Sequence, residues 1–96
     1  EITHLSVINA VTGYYKISRQ DLIGKSKKKE IVIPRQICCY LMCELLSLPL
    51  ISIGTELGGR DHTTILYSRD KVDEMCRVND KIAKDVDDIK NIILKK

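Results

Sequence analysis

The sequence predicts an all-α, compact helical domain of about six helices that contains a helix-turn-helix. Three observations predict it. Apolar residues return every three to four positions in successive segments, no run alternates apolar and polar side chains as a half-buried strand would, and paired glycines at 58 and 59 separate two of the segments by a tight turn. With no Trp or Phe and only four Tyr, the core must be aliphatic. At 96 residues the chain suffices for one domain, 1–96, and is too small for a deep active-site cleft.

Each element follows from local signals. In HLSVINAVTGYY, residues 4–15, Leu5, Ile8 and Val11 or Thr12 share a face, and Thr3 is placed to cap the helix. Ser18 caps and Gly24 stops a second helix of about one and a half turns. No helical stripe appears between 25 and Ile31, so KSKKKE, residues 25–30, reads as an exposed basic loop. A longer third helix, PRQICCYLMCELLSL, starts at Pro34, which suits a first turn because its missing N–H would be unsatisfied there anyway. Ile37, Cys38, Leu41 and Leu45 form its apolar stripe; Gln36, Tyr40, Cys43 and Ser47 line another face.

Pro49 ends that helix, and LISIGTEL forms a short fourth with Ile53 and Leu57 four residues apart. A fifth helix from about 62 to 76 puts Ile65, Val72 and Cys76 on one side and Thr63, Tyr67 and Asp70 on the other. The helix-turn-helix therefore covers about 50–76. Asn79 or Asp80 caps a last helix running to 96, with Ile82, Val86, Ile89 and Ile93 at three-to-four spacing and terminal lysines placed to complement its dipole.

The net charge of +3 hides a concentration of positive charge. Residues 16–35 carry Lys16, Arg19, Lys25, Lys27, Lys28, Lys29 and Arg35 against only Asp21 and Glu30, a local +5 that suits a polyanion. Cys38, Cys39, Cys43 and Cys76 lack the paired C-x2-C spacing of a zinc site and read as small packing residues kept reduced in a cytoplasm. No signal peptide opens the chain and no apolar run approaches a membrane span, so the expectation is a cytoplasmic, soluble protein.

The stretch GTELGGRDHTTILYS, residues 54–68, is the chemical centre of the sequence. Gly54 and Gly59 have the spacing of a phosphate loop, but Arg60 and Asp61 stand where Lys and Ser/Thr are required, and the segment follows a helix rather than a strand. A catalytic cluster is not expected, since Asp61 and His62 are adjacent at a helix start and point apart. A helix-turn-helix explains more of the residues. Gly58 and Gly59 form its turn, one of them at positive φ, and Asp61 caps the fifth helix through the amide of Thr63 or Thr64. His62 and Thr63 then address base edges in the major groove, while Arg60 and Thr64 suit phosphates. Taken alone, GGRDHTT also reads as a C-cap, a turn and an N-cap with no further role; the upstream lysines, able to reach the DNA backbone or minor groove, favour the first reading.

GGRDHTT at 58–64, PRQ at 34–36, YY at 14–15 and DLIG at 21–24 resemble the C-terminal DNA-binding domain of the bacterial replication initiator DnaA family, over essentially the whole chain. The resemblance implies sequence-specific binding of double-stranded DNA at the initiator boxes of a chromosomal origin. It places Asp61, His62 and Thr63 at bases, Arg60 and Thr64 near phosphates, Lys27 in the minor groove, and Arg35 and Gln36 at the backbone. Lys28 belongs to the same basic loop, and Leu50 and Ile51 fall where the family packs apolar side chains on thymine methyls. Departures are Lys27 for a common Arg, which loses a planar fork, Cys43 for a frequent Lys or Arg, and Pro49 and Ile51 for a common Ser cap and Pro, which shifts where the fourth helix starts.

The resemblance further implies no enzyme activity and no cofactor in this domain, ATP being expected only upstream, and regulatory proteins as additional partners of a monomeric domain. Two other readings stay open: a helical module whose basic loop meets an acidic protein, and a transcription regulator that binds a palindrome as a dimer.

Overall fold

The computed structural model describes residues 1–95 as six helices. In chain order they are α1 (His4–Tyr15), α2 (Arg19–Ile23), α3 (Lys29–Leu45), α4 (Leu50–Glu56), α5 (His62–Val78) and α6 (Asp80–Leu94), with no strand among the described residues. The expected all-α class and helix count are observed. Four helices open on a side-chain cap. Thr3 and Ser6 form a reciprocal capping box, Ser18 accepts from the Asp21 amide, Asp61 from Thr64 and Asn79 from Ile82.

Three boundaries and one face differ from expectation. α3 starts at Lys29, not Pro34, so the basic loop is shortened to 25–28. The reason is burial: Ile31 and Pro34 extend the stripe of Cys38 and Leu41 backward, and the Lys28 carbonyl accepts from the amides of Ile31 and Val32. Pro34 consequently lies in the second turn and leaves the Glu30 carbonyl without its intrahelical donor. At its other end α3 stops at Leu45, placing Ser47 and Leu48 in the connection, where the residue before Pro49 disfavours helix. α6 ends at Leu94, with Lys95 beyond it in the left-handed region at φ 59°; the expectation for Lys96 lies outside the described residues. On α1, Leu5 is exposed and Val7 joins Ile8 and Val11 in the core.

α3 is the central strut, packed most extensively on α5 and then on α1, while α6 closes over α1 and α5. The fully buried side chains are aliphatic or sulfur-bearing, among them Ile8, Leu22, Ile37, Leu41, Met42, Ile53, Leu57 and Ile65. Each such burial stabilises the fold by about 1.5–3 kcal/mol before entropy is counted. The four cysteines are free; Cys38 and Cys39 fill the core, and burial pushes the Cys39 thiol up to about 11.

Two of the four tyrosines, Tyr14 and Tyr15, lie at the α1–α6 seam. The Tyr14 hydroxyl donates to Asp85 at 3.0 Å and Asp88 at 2.9 Å, and that of Tyr15 to Asp85 at 2.9 Å. Asp85 is 4% exposed and also pairs with Lys81.

Candidate nucleic-acid interface

α4 and α5 form the expected helix-turn-helix, and its turn depends on three glycines. Gly58 and Gly59 both adopt φ 80°, a conformation that L side chains rarely take. Gly58 is doubly constrained, because a Cβ there would lie 2.1 Å from the Ile23 carbonyl oxygen. Gly54, within α4, has a different role: its carbonyl accepts from the amides of Gly59 and Arg60, and a Cβ on it would sit 1.9 Å from the Arg60 carbonyl oxygen. The spacing that resembles a phosphate loop is thus the spacing that lets a helix touch its own following turn.

Beyond the turn, Asp61 organises the first turn of α5. One oxygen, Oδ1, accepts from the Thr64 amide at 2.9 Å and the Thr63 hydroxyl at 2.6 Å. These donors, the Thr63 hydroxyl foremost and the Thr64 amide next, hold the Asp61 carboxyl below its ordinary range. His62, Thr63 and Thr64 are exposed on the same turn, whereas Ile65, Ser68 and Val72 face inward. The helix is therefore anchored by one face and presents the polar side chains of its N-terminal turn on the other, the arrangement that meets base edges and phosphates.

The basic segment sits beside this turn although it is more than thirty residues away in sequence. Lys27 and Lys28 are exposed and make no ion pair among the described residues. Gln36, on the first half of α3, is half-buried. Leu50, also half-buried, and Ile51, 68% exposed, open α4 directly after Pro49; the helix begins where the apolar spacing puts it, with the Pro49 carbonyl accepting from Ile53. Cys43 is half-buried beside Arg69 and Asp70, with burial the main cause of its raised thiol pKa.

Arg35 and Arg60 depart from the outward orientation expected of backbone contacts. Arg35 is 8% exposed and donates to the carbonyls of Leu22 at 2.6 Å, Ser26 at 2.8 Å and Asp21 at 2.9 Å. Arg60 donates to the carbonyls of Leu57 at 2.6 Å, Ile23 at 2.9 Å and Gly24. The inward turn has a physical cause. α2 is short and ends without a side-chain cap, so its last carbonyls need donors, and the two guanidinium forks supply them. Sequence reading missed this role; for Arg35 the spacing puts the residue on the apolar stripe, four after Ile31 and three before Cys38, but nothing in the sequence names its carbonyl acceptors.

Among the described residues no His, Cys, Asp or Glu cluster could hold a metal ion, and no helix is long and apolar enough to cross a membrane.

Comparison with known proteins agrees with this geometry. The family model described as the bacterial dnaA protein helix-turn-helix matches residues 5–72. The chromosomal replication initiator protein DnaA of Thermomicrobium roseum is 44% identical over 86 residues, which are 90% of this chain and 18% of that protein. The protein of the same name from Lactococcus lactis subsp. cremoris is 43% identical over 89 residues, 93% of this chain and 20% of the relative. That of Enterococcus faecalis is 38% identical over 93 residues, 97% of this chain and 21% of the relative. The chain thus spans about a fifth of the length of the curated relatives it matches.

Proposed function

The chain belongs to the bacterial dnaA protein helix-turn-helix family, and from that premise we propose that it binds double-stranded DNA sequence-specifically at replication-origin initiator boxes, in the initiation of chromosomal replication and its regulation. The observation that carries this reading is the exposed first turn of α5, locked by Asp61 and held beside a lysine-rich loop.

In this reading α5 enters the major groove by its N-terminus. His62 and Thr63 read base edges, with Asp61 orienting Thr63 and facing the bases itself. Thr64 brings its hydroxyl and the helix-start amides to a phosphate. Lys27 and Lys28 lie along the minor groove and its phosphates, and Gln36 contacts the backbone from α3. Leu50 and Ile51 add apolar contact with thymine methyls. No cofactor and no catalytic group of this chain takes part, so the work is recognition alone.

A hydroxyl-radical footprint on a duplex carrying one asymmetric box, with the stoichiometry measured in parallel, tests the arrangement. One chain per box, protecting a major-groove face and the adjoining minor groove, is expected. Two chains on a palindrome would move the domain to the dimeric regulators, and absence of any footprint would favour an acidic protein as the partner.

A further inference from the structure

We propose that Arg35 and Arg60 are positioning residues, a pair of guanidinium brackets that fix the basic loop against the recognition helix, and that neither serves as a phosphate contact. The proposal rests on the DNA-binding reading of the loop and of α5.

The geometry is reciprocal. The carbonyls of Asp21, Leu22, Ile23 and Gly24, which close α2, each accept from one of the two guanidiniums: the first two from Arg35, the last two from Arg60. A five-residue helix has too few internal bonds to hold itself, so these external donors decide where it ends and how the chain leaves it.

Each arginine also ties α2 to one side of the interface. Arg35 projects from α3 and adds a bond to the Ser26 carbonyl inside the loop. Arg60 follows the glycine turn and adds a bond to the Leu57 carbonyl at the end of α4. Lys27 therefore sits between two fixed points, the Ser26 carbonyl and Lys28, the N-cap of α3, whose carbonyl accepts from Ile31 and Val32. Its place relative to His62 and Thr63 is set through this chain of carbonyls.

The charges argue the same way. Neither guanidinium has a carboxylate partner among the described residues, and Arg35 is almost wholly buried. Burial first and the neighbouring Arg60 second lower the Arg35 pKa. Two like charges persist so close together because oriented carbonyl dipoles surround them, and their donors are aimed at protein rather than outward. A lysine would keep the charge but could not supply the planar fork.

That difference provides the test. Binding of the chain and of its Arg60→Lys and Arg35→Lys variants is measured by fluorescence anisotropy on one-box and scrambled duplexes across a salt series, with melting temperature followed by circular dichroism. Wild type establishes the underlying reading by preferring the box; no preference would defeat that reading itself. The bracket predicts that Arg60→Lys loses box preference about tenfold, the scale of one base contact, while the salt slope stays unchanged. Wild-type preference in both variants would overturn it, as would recovery by lysine of what Arg60→Ala loses. A slope lowered by about one unit with equal loss on both duplexes would also overturn it, because it marks a phosphate contact.

Should a variant unfold, nitrogen-15 spectra of the wild-type arginine side chains decide. The bracket predicts an Arg35 Nε–H protected from solvent in the free chain and unmoved when the box duplex is added. Rapid exchange, or a shift on binding, would contradict it.

Discussion

The hydroxyl of Thr63 donates to Asp61 Oδ1 at 2.6 Å, on the oxygen that also caps the helix through Thr64. A carboxylate so placed does two things at once: it starts α5 and turns the threonine proton inward, leaving the methyl group and the oxygen lone pairs for a partner. Thr63→Ala or His62→Ala is therefore expected to weaken binding to the cognate duplex by about 1–3 kcal/mol and to relax discrimination at one position. Titrations on cognate and random duplexes check this. Equal losses on both would remove these residues from base reading.

Lys27 and Lys28 are exposed without ion-pair partners among the described residues, so their contribution should be electrostatic and sequence-tolerant. The Lys27→Ala, Lys28→Ala double variant should weaken every duplex and lower the slope of log affinity against log salt by about one unit per lost phosphate contact. An unchanged slope would make the loop a solvated one.

The three glycines should rank by what surrounds them. Gly59→Ala meets open space and bears only the left-handed backbone penalty, about 1–2 kcal/mol. Gly58→Ala adds a collision with the Ile23 carbonyl, and Gly54→Ala would separate α4 from the turn. Denaturant unfolding should place Gly59→Ala as the mildest of the three. A reversed order would mean that the turn relaxes in ways this packing does not suggest.

At the α1–α6 seam, stability should fall at both ends of the pH scale. Burial alone would raise the Asp85 pKa, but hydrogen bonds from Lys81, Tyr15 and Tyr14 bring it below its ordinary 3.8. A lowered folded pKa means that this contribution is complete above 3.8 and is lost as the pH falls through the folded value. For Tyr14 and Tyr15, burial foremost and the adjacent carboxylates next raise the hydroxyl pKa well above 10.0. Their contribution is complete below 10.0 and lost as the pH rises beyond it. Tyr15→Phe should cost about 1–2 kcal/mol at neutral pH, since Asp85 stays buried with one donor fewer. Melting temperature against pH for wild type and Tyr14→Phe, Tyr15→Phe should show the alkaline decline flattened in the variant. Identical alkaline limbs would assign the decline to other groups.

Periodicity and caps made five of the helix starts legible, because Thr3, Ser18, Asp61 and Asn79 mark their own sites and Pro49 ends what precedes it. α3 was not legible at its start. Lys28 provides no side-chain cap, and Pro34 imitates a first turn, so only the burial of Ile31 reveals the extra residues. At the interface, glycine turn and aspartate cap were readable because their chemistry is local. The inward turn of Arg35 and Arg60 was not, because the acceptors are backbone carbonyls made available by a helix end elsewhere in the chain, and carbonyls leave no mark in a sequence.

Whether this chain reads DNA bases is decided by fluorescence anisotropy of the 96-residue chain on a labelled duplex with one initiator box, beside a scrambled duplex of equal composition at low and high salt. A preference for the box that persists at high salt is predicted. Equal binding that disappears as salt rises, or no binding, would contradict base readout and leave the basic loop as a surface for another polyanion.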